Sequence, residues 1–228
     1  MKRALIHIGP HKTGSTYIQH MMKTNAHLLP ASHQFLPKSD PLFEALQRIT
    51  LNIHCTADLT QWVQSICDTS LELARSLTAN NTLISSEDLL GPVPTLAGIS
   101  GLYPHLSQTM PTIQAGFDDS EVETQFFGYI REFHDWLRSV HAHKFRGRER
   151  VMAPRKFIKA NNLPNTWDGF ITNMQTSLDK PNIVFRSYET NAQTGRFGTA
   201  LFHHFGMRAG IMEKMKWIAP VNVSSRPA

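Results

Sequence analysis

Two glycines and a lysine near the start of the chain have the types and spacing of a phosphate-binding loop. Gly9 and Gly14 enclose four residues, as in the nucleotide-binding loop whose second glycine is followed by lysine and then serine or threonine. Here Ser15 stands where that lysine would be, and the only lysine of the loop, Lys12, precedes Gly14 by two residues. Glycine lets the backbone turn tightly beside a ligand, and the free N–H groups that open the next helix attract anions. The pattern predicts a cradle for a phosphate-like group, with the ammonium of Lys12 reaching it from the other side of the loop.

The segment from Ile6 to Thr16, followed by Ile18-Gln19, resembles the 5′-phosphosulfate loop of sulfotransferases that use 3′-phosphoadenosine 5′-phosphosulfate (PAPS), and of their bacterial members in particular. The resemblance implies that PAPS is the sulfuryl donor and that this loop binds it. Lys12 would then neutralise the charge that builds on the departing phosphate oxygen. The donor-binding residues implied in the loop are Gly9, Lys12, Thr13, Gly14, Ser15 and Thr16.

A second pair of residues follows a later apolar run, Gln125 to Ile130. Arg131 comes directly after that run, and Ser139 lies eight residues further on, within a predicted helix. Sulfotransferases have an arginine and a serine in this arrangement, so the resemblance implies that Arg131 and Ser139 bind the 3′-phosphate of PAPS. Arginine supplies a forked, permanently charged donor for phosphate oxygens, and a helix-borne hydroxyl two turns along can reach the same group.

A third group of polar residues, Ser86, Glu87 and Asp88, follows the apolar run Thr82 to Ser85. An acceptor hydroxyl attacks sulfur far better as it loses its proton, and a positioned carboxylate can take that proton. A glutamate is the base in several carbohydrate sulfotransferases, so the resemblance favours Glu87 in that role. The same residues are equally typical of a helix start, with Ser86 as the N-cap and the acids complementing the helix dipole. His11, inside the loop, is the alternative base.

The other histidines suggest no second site. His7 alternates with apolar residues on a predicted buried strand, which is typical of a hydrogen-bonded core histidine. His141 and His143 are two residues apart and would point in different directions on a helix. They begin a basic run, residues 141–150, which is either a solvated helix end or a docking surface for an anion. Because no cysteine or carboxylate stands at metal-ligand spacing from a histidine, no metal site is predicted.

The secondary-structure pattern places these residues at the ends of strands. Four short apolar runs predict strands: Ala4 to Ile8, Thr82 to Ser85, Gln125 to Ile130 and Asn182 to Phe185. Apolar residues at helical spacing predict helices from Leu59 to Asn80-Asn81, from Trp167 to Leu178, and from about Thr194 to Phe205 with Gly206 as a C-terminal cap.

This alternation predicts an α/β protein with three layers (α/β/α) around a central, mostly parallel sheet, similar to P-loop NTPases. Ligands of such sheets bind beyond the carboxyl ends of the strands. We expect a single sulfotransferase-like domain over residues 1–228. Residues 91–120, rich in Pro, Gly, Ser and Thr, are expected to form an irregular excursion, either a substrate-side loop or a tolerated surface insertion.

Composition limits the function further. The 23 Lys and Arg against 18 Asp and Glu give a formal charge of +5, which implies an anionic ligand or partner. The chain has none of the motifs typical of nucleic-acid binding, so no nucleic-acid partner is predicted. No apolar stretch approaches the length of a membrane span. The apolar stretch before Gly9 is too short to be the hydrophobic region of a secretory signal peptide. We expect a cytoplasmic protein without a membrane span.

Together these observations predict a PAPS-dependent sulfotransferase that acts on a hydroxyl or amine of a small-molecule or glycan acceptor, without a metal. The sequence contains no motif that identifies the acceptor or the oligomeric state. One alternative is a P-loop kinase that uses Mg-ATP, with the carboxylates after Ser86 holding the metal. Another is a non-catalytic module that binds polyanions through the basic run.

Overall fold

The computed structural model of the protein describes residues 1–53, 56–94, 100–147, 149, 151–178 and 182–218. The strands are β1 (Lys2–His7), β2 (His33–Phe35), β3 (Asn81–Ser85), β4 (Val122–Ile130) and β5 (Ile183–Ser187). The helices are α1 (Ser15–Asn25), α2 (Pro41–Leu51), α3 (Leu59–Ser76), α4 (Leu106–Asp118), α5 (Phe133–Phe145), α6 (Pro154–Ala160), α7 (Asp168–Ser177), α8 (Tyr188–Ala192), α9 (Thr199–His204) and α10 (Ala209–Lys214). Short 3₁₀ turns cover Ala26–Leu28 and Glu87–Leu90.

The five strands form one sheet in the order β2-β3-β1-β4-β5, and every neighbouring pair is parallel. The four strands predicted from the sequence are confirmed, with small differences at their ends. The edge strand β2 was not predicted, because three residues of mixed polarity give no apolar run. β1 lies at the centre, so the loop that follows it emerges in the middle of the carboxyl edge of the sheet.

Side chains of β1 alternate between two hydrophobic cores, one on each face of the sheet. Ala4 and Ile6 contact the larger core, to which α2 to α7 contribute. Leu5 contacts the second core, formed with α1, α9 and residues around α10. This is the predicted three-layer α/β/α arrangement, and the sheet is wholly rather than mostly parallel.

The predicted irregular excursion over residues 91–120 is wrong in its second half, where Leu106–Asp118 forms α4. The expectation rested on the Pro, Gly, Ser and Thr content of the segment, and one of these residues, Pro111, lies inside the helix, where it lacks a backbone N–H. The helix forms nevertheless, because residues at helical spacing on one face become fully buried against α3 and the sheet. These residues are Leu106, Met110, Ile113 and Phe117.

The predicted helix from Thr194 to Phe205 is also too long. Gly195 and Gly198 both have positive φ angles, which interrupt the helical backbone, so α9 starts only at Thr199. The C-terminal signal was correct, since Gly206 follows the helix with φ +89°.

Candidate functional site

The loop after β1 is folded by its own hydrogen bonds. The backbone N–H and the side-chain hydroxyl of Thr13 both donate to the carbonyl oxygen of Pro10, at 3.2 and 2.6 Å. Gly14 then adopts φ +95°, and its carbonyl oxygen accepts the N–H of Ile18 as α1 begins at Ser15. The result is a strand, a tight turn and a helix N-terminus, the order that the sequence predicted.

Both loop glycines stand where a larger residue would clash. A Cβ atom on Gly9 would lie 2.6 Å from the hydroxyl oxygen of Thr13. A Cβ atom on Gly14 would lie 2.6 Å from Cε1 of Phe197, in addition to straining the positive φ. Glycine at both positions is therefore required by the close packing of the loop against Thr13 and Phe197.

A cleft of about 380 Å³ opens above this loop, beyond the carboxyl ends of four strands. It is lined by residues that follow β1, β3, β4 and β5, as expected for a parallel sheet. Eight sequence-predicted residues line it together: His11, Lys12, Gly14, Ser15, Thr16, Glu87, Arg131 and Ser139. The residues not predicted as part of the site are Tyr17, Val93, His143, Tyr188, Ala192, Gly195 and Phe197.

Some of the cleft residues that were not predicted could have been found from the sequence. His143 lies one helical turn after Ser139, so the two share a face of α5. Tyr188 follows β5 as Arg131 follows β4, and strand ends were the expected place for a site. Phe197 had no such signal, because it reaches the cleft through the turn between α8 and α9.

Ser15 presents a buried hydroxyl without a partner. Ser15 lines the cleft but is only 4% exposed. Its Oγ atom forms no hydrogen bond with the described protein atoms. A buried hydroxyl in this state costs free energy, since it has left water without a replacement. An anion in the cradle would give it an acceptor.

Lys12 is half-buried and has an unusual backbone, with φ +71°. Burial lowers the pKa of its ammonium, the negative charge of Glu87 opposes that effect, and Arg146 lowers the pKa further. The lysine therefore contributes a partly desolvated positive charge to the lining of the cleft, where its electrostatic effect exceeds that of a charge in open water.

Arg131 is held at the end of β4 by two aromatic residues. Its guanidinium lies over the ring of Tyr188, 5.5 Å from the centroid, and its carbonyl oxygen accepts the indole N–H of Trp167 at 2.7 Å. Among the described residues no carboxylate forms an ion pair with this guanidinium. Its N–H donors remain available to an anion in the cleft.

The turn into α5 is fixed by two glutamates. Glu132 caps the helix, because its carboxylate accepts the N–H groups of His134 and Asp135 at 3.1 and 2.8 Å. The N–H of Glu132 in turn donates to Glu189 at 2.9 Å. Glu189 is thus structural, and it ties the turn after β4 to the start of α8.

Two carboxylates follow β3 with different surroundings. Glu87 accepts the amide N–H of Gln19 at 3.0 Å and lies 3.6 Å from the ammonium of Lys38. Asp88 forms the closer ion pair with Lys38, at 2.9 Å, and its other oxygen lies 3.5 Å from His11 Nε2. Burial raises the pKa of Asp88, but hydrogen bonds from His11 and Lys38 and their charges outweigh it and bring the pKa to about 2.

The interpretation of this segment as a helix start is confirmed for Ser86, whose hydroxyl accepts the N–H of Asp88 at 3.1 Å at the start of the 3₁₀ turn. Glu87 nevertheless lines the cleft, so capping and a role in chemistry are compatible at this position.

The histidines occupy different environments. His7 is fully buried as predicted, with Nδ1 2.9 Å from the Ser85 hydroxyl, and burial lowers its pKa to about 3. His141 points away from the cleft and contacts the carbonyl oxygen of Met152, whereas His143 lines the cleft. Burial, followed by the charges of Lys12, Arg146 and His11, lowers the pKa of His143.

The basic run is only partly described, since Arg148 and Arg150 lie outside the described residues.

Within the described ranges, no three His, Cys, Asp or Glu side chains gather in a way that could hold a metal ion. None of the helices in the described residues is both long enough and apolar enough to cross a bilayer.

Comparison with known proteins adds a similarity in fold. No family model matches the chain, and no curated protein matches it by sequence. Among solved structures, it is similar to the crystal structure of a sulfotransferase from Alicyclobacillus acidocaldarius, with a TM-score of 0.51 and 9% sequence identity. The alignment covers 94% of this chain and 90% of that one. The two proteins thus share an α/β fold with a parallel sheet flanked by helices, as in the P-loop fold of sulfotransferases.

Proposed function

We propose that the protein is a sulfotransferase that moves a sulfuryl group from PAPS to a hydroxyl or amine of a small-molecule or glycan acceptor. The observation that supports this best is the meeting, in one cleft, of two separate groups of anion-binding side chains. Lys12 and Ser15 belong to the loop after β1, while Arg131 and Ser139 come from the end of β4 and from α5. A donor with a phosphosulfate at one end and a 3′-phosphate at the other requires two such groups. The similarity in fold to a sulfotransferase is consistent with this proposal.

The loop fits a phosphosulfate on independent grounds. The unpartnered hydroxyl of Ser15 needs a hydrogen-bond acceptor, and the helix N-terminus at Ser15 favours negative charge. Gly9 and Gly14 have no room for a Cβ atom beside Thr13 and Phe197, so glycine at both positions is required by the tight folding of the loop.

Each group has a defined role in the proposed transfer. The acceptor oxygen forms a bond to sulfur as the bond between sulfur and the donor's phosphate oxygen breaks. Lys12 stabilises the negative charge that develops on that phosphate oxygen. Arg131 and Ser139 hold the 3′-phosphate and thereby orient the donor for in-line displacement.

We assign to Glu87 the role of the general base that accepts the proton of the acceptor group. Glu87 lines the cleft together with Lys12, on whose ammonium its charge acts, and Gln19 donates to one of its carboxylate oxygens at 3.0 Å. His11, the alternative base, has Nδ1 2.9 Å from the hydroxyl of Tyr103 and Nε2 3.5 Å from Asp88. Both ring nitrogens of His11 face protein groups, so Glu87 is better placed to receive a proton from an acceptor.

Calorimetric titration with 3′-phosphoadenosine 5′-phosphate (PAP) tests the donor site. We expect PAP to bind at least about tenfold more tightly than adenosine 5′-phosphate, since a charge-assisted contact to the 3′-phosphate contributes roughly 1.5–3 kcal/mol. Arg131→Ala should remove most of that preference. The matched control is Arg138→Ala, in the helix that follows, where the side chain is 76% exposed and pairs with Asp135.

Equal affinity of the unmodified protein for PAP and adenosine 5′-phosphate would refute the 3′-phosphate assignment. Tighter binding of Mg-ATP than of PAP would favour the kinase alternative. Salt-sensitive binding of a polyanion such as heparin, with no nucleotide binding, would favour the non-catalytic module.

A further inference from the structure

We infer that Tyr103 is a positioning residue for the loop, and that with Trp136 it clamps the peptide groups on either side of His11 and so fixes Lys12. The backbone N–H of His11 donates to the phenolic oxygen of Tyr103 at 2.9 Å. The carbonyl oxygen of His11 accepts the indole N–H of Trp136 at 2.8 Å. Both aromatic residues are buried, so water does not compete for these bonds.

The clamp acts directly before a strained residue. Lys12 follows His11 and has φ +71°, a conformation that residues with a Cβ atom rarely adopt. Such a backbone persists only when its surroundings determine it. The bond from Trp136 fixes the peptide group that enters Lys12, and the bond to Tyr103 fixes the peptide group before it. The bonds from Thr13 to Pro10 close the turn that contains Lys12.

The side chain of His11 is held by the same tyrosine. Its Nδ1 lies 2.9 Å from the phenolic oxygen, and the two rings are stacked with 16° between their planes. Among the described residues, the phenolic hydrogen has no acceptor except Nδ1, so the hydroxyl donates to that nitrogen. In the neutral form of the ring, Nε2 then bears the hydrogen and faces Asp88 at 3.5 Å. The charge of His11 that lowers the pKa of Asp88 belongs to the protonated form of the ring. The contacts at both nitrogens agree on one tautomer.

This arrangement makes His11 a positioning residue. Its Nδ1 lone pair is occupied by Tyr103 and its Nε2–H is directed at Asp88, which Lys38 holds from the other side at 2.9 Å. A series of side-chain contacts joins the segment before α4 to the loop and to the carboxylates after β3. It runs from Tyr103 through His11 and Asp88 to Lys38. Tyr103 thus contacts the loop directly although it is not among the residues that line the cleft.

The first test is independent of the proposed function. Nitrogen-15 NMR of the histidine rings distinguishes the two neutral tautomers, and the signals of His11 are assigned by their loss in a His11→Asn variant. We expect the Nε2–H form in the unmodified protein and a changed pattern in Tyr103→Phe. A His11 with hydrogen on Nδ1, or an unchanged pattern in Tyr103→Phe, would overturn the inference.

The second test rests on the proposed function and compares Tyr103→Phe with Tyr129→Phe. Tyr129 is a matched control, because it is equally buried and its phenolic oxygen also accepts a backbone N–H, that of Leu201 at 3.2 Å. We expect Tyr103→Phe to lower kcat for sulfuryl transfer about tenfold or more while the acceptor KM changes less than about threefold. Tyr129→Phe should leave kcat within about threefold.

A purely structural role for Tyr103 predicts another result. Tyr103→Phe would then lower the thermal midpoint while kcat per folded molecule stays unchanged, and this outcome would overturn the inference. If Tyr103→Phe does not fold, the tautomer in the unmodified protein still decides. If the unmodified protein neither binds PAP nor transfers sulfuryl groups, the proposed function fails while the NMR result continues to test the clamp.

Discussion

Lys12 is costly to the fold in two respects. Its backbone lies in the left-handed region, which destabilises a residue with a Cβ atom by about 1–2 kcal/mol. Its ammonium is half-buried, and that burial lowers its pKa. Neither feature stabilises the loop, which is consistent with the proposed role of Lys12 as a positive charge for an anion in the cleft.

Replacing Lys12 by alanine should therefore lower sulfuryl transfer strongly without unfolding the protein. We expect kcat to fall by about 10²–10³, the usual effect of losing one group that stabilises transition-state charge. The measurement is transfer of labelled sulfate from PAPS at saturating donor, with circular dichroism as the check on folding. Lys23→Ala is the control, since Lys23 is exposed at the end of α1. Near-native turnover in Lys12→Ala would contradict the proposed role.

His7 makes stability depend on pH. It is fully buried beneath the loop, its Nε2 has no partner among the described residues, and burial lowers its pKa to about 3. In the unfolded chain a histidine titrates near a pH of about 6.5. Between these values the unfolded state binds more protons at this residue than the folded state, so stability falls as the pH falls.

We expect the free energy of unfolding to decrease between about pH 6.5 and 4.5, with His7 contributing about 1 kcal/mol per pH unit. Asp88, with its pKa of about 2, stays ionised throughout this window and adds little to the slope. Urea unfolding at several pH values measures the effect. His7→Gln should reduce the slope of the free energy of unfolding against pH by the contribution of one proton. His27→Gln, at an exposed position, should leave the slope unchanged. Parallel curves for the two variants would mean that His7 is not buried in its neutral form.

At the scale of elements, α3 and α4 form a closely packed helix pair. A Cβ atom on Gly116 in α4 would lie 2.6 Å from the Cβ of Ser70 and 2.8 Å from the carbonyl oxygen of Cys67. Both of these atoms belong to α3, and neither is the flexible end of a long side chain. The glycine is therefore required by the distance between the helices.

Gly116→Ala should destabilise the protein by about 1–3 kcal/mol, although alanine is the better helix former. Gly169→Ala is the matched control, since Gly169 lies in α7 and a Cβ atom there would have no neighbour within 4 Å. The control should raise the free energy of unfolding by about 0.5 kcal/mol. Denaturant unfolding of both variants tests the pair, and a neutral effect of Gly116→Ala would show that α3 and α4 can separate without cost.

The sequence was informative for elements whose burial follows a simple period. β1, β3 and β4 are apolar runs because both of their faces are covered, and α3 has one apolar face, so all four were predicted. α4 was missed because the Pro, Gly, Ser and Thr content of residues 91–120 indicated irregular structure, which tertiary burial overrides. Local propensity does not record how much area a helix will bury against its neighbours.

At the scale of the whole molecule, the cleft is built from distant parts of the chain. The loop after β1 lines it together with Tyr188 and Phe197, which follow β5 in the chain. The loop and the Arg131 and Ser139 pair were predicted, because short motifs record local chemistry. Tyr103, which is 92 residues from His11, could not be found in this way, since only folding brings the two together.

Because its walls come from both ends of the chain, the cleft should respond to PAP as one unit. We expect saturating PAP to slow amide hydrogen exchange both in residues 13–16 and in residues 188–198, while β2, at the opposite edge of the sheet, is unchanged. Hydrogen exchange followed by mass spectrometry measures this. Protection confined to the loop would show that the segment after β5 does not enclose the nucleotide.

The left-handed backbone at position 12 has a consequence for the protein's descent. Glycine and asparagine adopt such a conformation at little cost, whereas lysine does so only under constraint. On the proposed function, a relative that has lost the reaction would have no need of an ammonium at this position. We expect such relatives to carry glycine or asparagine in place of Lys12.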